Sequence, residues 1–343
     1  MKHIEISKRI FHFKQPAGTS RGIYTTRQSY ILTLTDDGMP GIKGVGECAP
    51  LPKLSCDDLP DYETILHQIC KLVESTDLIP YALLRPYPSI LFGLETAFAQ
   101  FNAHGSTMLF DTPFGRGEEG IRINGLVWMG SFDEMAERLE AKLRQGFHCV
   151  KLKIGAIDFE KEIELIRHSR ESFDKRQVEL RVDANGAFTP KNALQHLETL
   201  AKYDIHSIEQ PIKQHQWGDM AHLCAASPLP IALDEELIGV NVKRMKEALL
   251  DTIRPQYIVL KPSLHGGMRG TEEWIQLANI RGIESWITSA LESNVGLNAI
   301  AQLCAKVYGP HVSTPQGLGT GLLFTDNITM PLTIRGDEMW ITQ

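Results

Sequence analysis

Hydrophobic and polar positions follow two different rhythms along this chain, and the change between them divides it. In the first fifty residues, IEISKRIFHF and QSYILTLT alternate with the period of half-buried strands. DDGMPG is a turn that closes a hairpin between YILTLT and GVGECA. Two stretches of helical period follow, near Leu59–Glu74 and Ser89–His104, the second rich in Ala, Leu and Phe. No glycine-serine linker comes after this α+β segment, so it is expected to pack on the remainder.

From about residue 121 short apolar runs recur: RINGLVW, CVKLKI, VELRVDA, IHSIEQ, PIALDE, QYIVLK, IESWITS and HVSTP. Helical stretches separate most of them, such as SFDEMAERLEAKLRQG, with Ser131 as its N-cap, and DFEKEIELIRHSRESF. Strands alternating with helices in this way predict an α/β fold with a closed parallel barrel. An open doubly wound sheet would more often carry fewer strands.

Composition narrows the field. The chain has 343 residues, 43% apolar and 22% charged, with a net charge of −7 and no basic block. Nucleic acid is therefore not an expected partner, nor is an anionic membrane surface. No run approaches the ~18 uninterrupted apolar residues of a spanning helix. MKHIEISKRIFHFKQP has no apolar core of a signal peptide. The six cysteines include no C-x-x-C pair, which argues for small buried hydrophobes in a reduced, cytoplasmic chain.

Within the strands, side-chain alternation separates two faces. Val150 and Leu152 oppose Cys149, Lys151 and Lys153; Leu180 and Val182 oppose Glu179, Arg181 and Asp183. Ile231 and Leu233 oppose Ala232 and Asp234, Leu260 opposes Lys261, and Glu209 closes IHSIE. The apolar face is expected to meet the outer helices. The polar face then points into the barrel, with its last charge at the C-terminal mouth where such barrels hold their sites.

Lys153, Asp183, Glu209, Asp234 and Lys261 follow one another at steps of 25 to 30 residues, each one strand-helix unit. Five charges thus converge in the order base, acid, acid, acid, base. Three partly buried carboxylates need a counter-ion. Oxygen-only ligands indicate a hard cation, Mg²⁺ above all. The flanking lysines stand too far apart in strand order to neutralise all three, and fit better as catalytic groups on either side of a metal-bound carboxylate substrate.

Lys151-Leu-Lys153, Asp183-Ala-Asn185-Gly, Glu209-Gln-Pro211, Asp234-Glu235 and Lys261-Pro together resemble the enolase superfamily, muconate-lactonizing type. The resemblance implies an α+β capping domain over residues 1–115, joined by a tail at about 322–343. It also implies a modified (β/α)7β TIM-like barrel over 116–321. Gly46-Glu-Cys-Ala-Pro-Leu-Pro, Ser289-Ala-Leu-Glu292-Ser and Gly317-Leu-Gly319-Thr-Gly321 are similar to the o-succinylbenzoate synthases of that superfamily. HVSTPQGLGTG lacks the carboxylates with which dipeptide epimerases hold an ammonium group, leaving N-acylamino acid racemase or dipeptide epimerase as the alternative activity.

By this resemblance Asp183, Glu209 and Asp234 hold Mg²⁺ or Mn²⁺. Lys153 removes the α-proton of a carboxylate, made more acidic by the like charge of Lys151 and by the metal. Lys261 stays cationic and stabilises the enediolate. Asn185 and Arg181 would orient the metal ligands, with a structural ion pair equally open for Arg181. Ser289 and the amides around Gly319 would hold the far carboxylate, unless the glycine-rich stretch is a simple turn. The segments 18–22 and 46–52 are expected to close over the mouth.

Overall fold

The computed structural model describes residues 1–19, 22–310, 312–320 and 323–342. Strands β1 (Lys2–Thr19), β2 (Gly22–Asp36) and β3 (Gly44–Cys48) form an antiparallel sheet in that order. Helices α1 (Tyr62–Thr76) and α2 (Pro88–Asn102) cover it, one to three residues from their expected bounds. Tyr30, Leu32, Leu66, Ile69, Val73, Ile90 and Leu94 form the core between sheet and helices. Gly46 faces Gly93 of α2 so closely that a Cβ would strike its carbonyl oxygen, so backbone packs directly on backbone.

The second part begins with β4 (Ile121–Arg122) and β5 (Gly125–Val127), then alternates helix and strand: α3 (Phe132–Arg144), β6 (Cys149–Lys153), α4 (Phe159–Ser172), β7 (Glu179–Asp183), α5 (Ala193–Leu200), β8 (Ser207–Glu209). It continues with α6 (Trp217–Ala226), β9 (Ile231–Leu233), α7 (Lys243–Ile253), β10 (Tyr257–Leu260), α8 (Gly267–Asn279), β11 (Glu284–Ile287) and α9 (Asn294–Tyr308). Strands β5 to β11 form one parallel sheet in sequence order. Ser131 caps α3 in a reciprocal pair with Glu134, as the sequence predicts.

The apolar strand positions do face the helices. Val150, Leu152, Leu180, Val182, Ile208, Ile231, Leu233, Ile258 and Leu260 belong to one large buried cluster with the helical side chains. Each such fully buried branched residue contributes roughly 2 kcal/mol. The opposite face is plugged by Ala232, Val259 and Trp286.

Closure of the sheet differs from the expected eighth strand. His311 of HVSTP lies outside the described residues, and 312–315 form no strand. The seam is made by the next two residues. Gln316 bridges to Ile123 and Gly317 to Thr288, each in parallel. The side-chain carbonyl of Gln316 also accepts from the Ile287 amide at 2.7 Å, doing the work of a strand partner. Four alternating residues before a proline carry too little ladder to hold a strand of their own.

The tail divides. Leu323 and Thr325 exchange backbone bonds with β1 at Lys14 and His12, whereas β12 (Leu332–Arg335) and β13 (Glu338–Ile341) form a hairpin whose second strand pairs with β4. Two buried carboxylates dock the first sheet and its helices on the barrel. Glu95 of α2 accepts the Met268 and Arg269 amides at the start of α8. Glu47 of β3 accepts from the Ser293 amide at 3.0 Å, its hydroxyl at 2.7 Å and the Gly296 amide at 2.9 Å, at the start of α9. Exposed helix N–H groups make such ends natural carboxylate sites. No helix among the described residues is long and apolar enough to cross a membrane.

Candidate active site

The five charges converge because consecutive parallel strands end level with one another. Lys153, Asp183 and Glu209 close β6, β7 and β8, and register places Lys153 beside Asp183 and Asp183 beside Glu209. Asp234 and Lys261 follow directly on β9 and β10. Lys153, Asp183, Glu209 and Asp234 are buried and Lys261 is partly so, in the wall of a cavity of about 620 Å³ or just behind it.

The flanking lysines each reach one carboxylate, and the third is met by Lys151. Lys153 Nζ lies 2.9 Å from Asp183 Oδ2. Lys151 Nζ lies 3.2 Å from the same oxygen and 2.9 Å from Glu209 Oε2. Lys261 pairs with Asp234 Oδ2. Each pair spans adjacent or next-but-one strands, a gap a four-carbon stem crosses easily. Asp183 therefore stands between two ammonium groups, and the repulsion expected between Lys151 and Lys153 is answered by a shared carboxylate.

Burial disfavours the Lys151 ammonium, but Glu209 and Asp183 outweigh it and raise its pKa. Lys261 is likewise raised, with Asp234 and Glu235 overcoming burial. Burial and the charge of Asp183 push Glu209 up to about 8, with Lys151 pulling the other way. Asp183 moves down despite burial, because Lys153 and Lys151 face it. Crowded carboxylates in one dry site divide in this way between groups held ionised and groups pushed toward protonation.

Asn185 sits in the left-handed backbone region at φ 45°, just after Asp183. Its Oδ1 accepts from Lys153 Nζ at 2.7 Å, and its Nδ2 donates to Glu235 Oε1 at 2.9 Å. It thus orients the lysine through its side chain. Its backbone amide donates to Asp183 Oδ1 at 3.1 Å, the one contact it makes with an expected ligand. Arg181 lies deeper. Its Nε donates to Glu179 at 2.7 Å, its Nη1 to the Pro315 carbonyl at 3.0 Å, and its guanidinium stacks on Trp286 at 4.3 Å. Of the two readings open in the sequence, the geometry shows the structural ion pair.

Ser289 and Gly319 both line the cavity, and Ser289 Oγ shares a 2.6 Å hydrogen bond with Thr320 Oγ1. Gly321 lies outside the described residues, as do Ser20 and Arg21 of the 18–22 segment. Leu51 and Leu54 bring the neighbouring loop to the cavity wall. Sequence reasoning missed Glu235 and Thr320 as lining residues. Strand alternation sends Glu235 away from Asp234's face, but a 3₁₀ turn over Glu235–Leu237 breaks the alternation and returns it to the site. Burial and the Asp234 charge raise Glu235 to about 7.

The donor set fits a hard divalent cation. It offers carboxylate oxygens alone, and two of them, Asp234 Oδ1 and Glu235 Oε2, are buried with no hydrogen-bond partner. Among the described residues no three His, Cys, Asp or Glu side chains already stand in ligating spacing. The ammonium groups stand among the carboxylates instead.

Comparison with known proteins places this geometry. Residues 134–339 match the family model described as enolase C-terminal domain-like. An o-succinylbenzoate synthase of Desulfotalea psychrophila is 46% identical, over 96% of this chain and 96% of its own. The L-Ala-D/L-Glu epimerase of Bacillus subtilis is 27% identical over 88% and 84%. The crystal structure of MenC from Desulfotalea psychrophila superposes with a TM-score of 0.83 at 41% identity, covering 99% of each chain. Muconate lactonizing enzyme from Pseudomonas fluorescens shares the fold at a TM-score of 0.80 and 20% identity, covering 99% and 94%. Enzymes of this kind use a divalent metal. A strand-by-strand row of lysines and carboxylates at the mouth of a TIM-like barrel, under an antiparallel cap, is thereby explained by descent: the chain belongs to the enolase superfamily.

Proposed function

We propose that the chain is an o-succinylbenzoate synthase, a hydro-lyase of menaquinone biosynthesis acting in the cytoplasm. It would convert 2-succinyl-6-hydroxy-2,4-cyclohexadiene-1-carboxylate to 2-succinylbenzoate and water. The observation that carries the reading is the 46% identity to the Desulfotalea psychrophila synthase over nearly the whole of both chains.

Asp183, Glu209 and Asp234 would hold Mg²⁺, with Mn²⁺ able to replace it. The cation supplies Lewis-acid stabilisation of the negative charge that develops on the substrate carboxylate, worth several kcal/mol. Lys153 in its amine form takes the proton from C1, and the electrons of that C–H bond pass into the carboxylate as an enediolate. Lys261, held cationic by Asp234 and Glu235, faces that charge from the other side. The enediolate then expels the C6 hydroxyl, to which Lys153 returns its proton. Water leaves and the ring becomes aromatic. One base serving both steps makes this a syn elimination. Asn185 aims Lys153, and Ser289 with the backbone near Gly319 receives the succinyl carboxylate.

Dehydration followed by ultraviolet absorbance tests this, with Mg²⁺ and again with EDTA. Rapid conversion that EDTA abolishes is expected, and no conversion with Mg²⁺ overturns the assignment. A second reading, epimerisation of an N-acylated amino acid or dipeptide, is favoured by the placing of Lys153 and Lys261 on different carboxylates, since inversion needs two bases. It predicts solvent deuterium at the α-carbon together with inverted configuration.

A further inference from the structure

Arg27 of β2 is 1% exposed, and among the described residues its hydrogen bonds all go to backbone carbonyls. Nη2 donates to Ala49, Nη1 to Pro50 at 2.6 Å and to Gln28 at 3.4 Å, and Nε to Leu291 at 3.2 Å. Glu47 and Glu292 act on it only through space. A fully desolvated guanidinium without a carboxylate contact is a costly way to hold a fold together. Apart from its neighbour Gln28, its partners lie on two segments far apart in sequence. One is the 49–54 loop of the cap and the other the turn after β11.

Both segments line the substrate cavity, the first through Leu51 and Leu54, the second through Ser289, Ala290 and Leu291. The turn is strained where Arg27 grips it. Leu291 has a φ of 65°, a conformation that costs a branched side chain about 1 kcal/mol or more. It is held on both flanks, because the Ala290 amide donates to Glu292 Oε2 at 2.6 Å while Glu292 Oε1 accepts from Ser263. Strain maintained by surrounding bonds beside a ligand cavity points to a geometric requirement of the site.

We propose that Arg27 is a positioning residue that clasps the 49–54 loop to the 289–292 turn and so sets the span of the cavity that receives the substrate's acyl arm. The inference rests on the synthase reading above for the identity of that arm. Arg27 touches no reacting atom. It acts through Leu51, Leu54 and Leu291.

Three variants test it: Arg27→Lys, Arg27→Met and Leu291→Gly. Each is read by steady-state kinetics on the cyclohexadiene carboxylate, by melting temperature, and by hydrogen exchange of the 49–54 and 289–292 amides without substrate. Leu291→Gly relieves the strain but gives up a buried side chain, so its melting temperature should fall while KM climbs about tenfold and kcat stays within about threefold. Arg27→Lys should raise KM similarly, less than Arg27→Met, and both loops should exchange faster together. Folded variants whose KM equals the wild type overturn the proposal, as does loss of melting temperature in Arg27→Met with an unchanged KM. If wild-type protein leaves this substrate untouched, the synthase reading falls on its own. The clasp is then judged by exchange: faster exchange in both segments of Arg27→Lys supports it, and faster exchange in one or neither overturns it.

Discussion

Lys153 Nζ and Asn185 Oδ1 stand 2.7 Å apart, and the same asparagine donates at 2.9 Å to Glu235 on the far side of the carboxylate row. The amide therefore fixes its own orientation, because its oxygen must face an ammonium and its nitrogen a carboxylate. It links the proposed base to the neighbour of the proposed third metal ligand.

Lys153→Ala should lower kcat by on the order of 10³-fold or more, with far-ultraviolet dichroism and melting curve retained. Near-normal turnover would remove Lys153 as the base. Asn185→Ala keeps the amine but loses its aim, and a fall in kcat of about tenfold at nearly constant KM is expected.

Asp234 and Glu235 compete for the same role on paper, since each has a buried oxygen without a partner. Asp234→Asn should weaken Mg²⁺ binding by on the order of 10- to 100-fold, while Glu235→Gln should act mainly on kcat through Asn185. Titration of activity against free Mg²⁺ separates the two. An unchanged metal requirement in Asp234→Asn and a shifted one in Glu235→Gln would exchange their roles.

Arg181 should matter to stability and not to metal. Arg181→Met leaves Glu179 without its partner and uncovers the Trp286 face, at a cost of on the order of 3 kcal/mol by chemical denaturation. The Mg²⁺ dependence of surviving activity should match the wild type. A shifted dependence would return Arg181 to the metal ligands.

Glu95 gives the docking of α2 on α8 a pH dependence. Burial pushes its carboxyl up to about 8, although the Met268 and Arg269 amides favour the ionised form. A carboxyl raised in the folded state binds more protons there than in the unfolded chain, so its contribution is fully present below about 4.5 and is lost as pH rises toward 8. Glu95→Gln cannot ionise. Between pH 5.5 and 8.5 its stability relative to wild type should improve by on the order of 3 kcal/mol. A gap that stays constant across that range contradicts the assignment.

Much of the barrel and the row of five charges could be read in advance because alternation and strand-helix spacing are both local regularities, and each charge lies at or just past a strand end. Glu235 escaped because a 3₁₀ turn interrupts the alternation one residue after Asp234. The seam escaped for another reason. Gln316 uses a side-chain amide in place of a ladder, which leaves no period-two trace around it. Arg27 was invisible as well, since its partners are carbonyls of residues whose identity the bonds do not require. Pairing of Lys151 and Lys261 with the carboxylates depends on how the sheet curls, which spacing alone does not express.

The two-residue seam also bears on how such a barrel changes over evolutionary time. Seven staves are joined by ladders, and a residue inserted in any of them would slip its register and rotate the core face outward. At Gln316 and Gly317 one bridge on each side is all that must survive, so the following turn, where Gly319 and Thr320 reach the substrate cavity, is free to lengthen or shorten without disturbing the lattice. New acyl chains are most easily accommodated at that joint, while the lysines and carboxylates stay where the seven staves hold them.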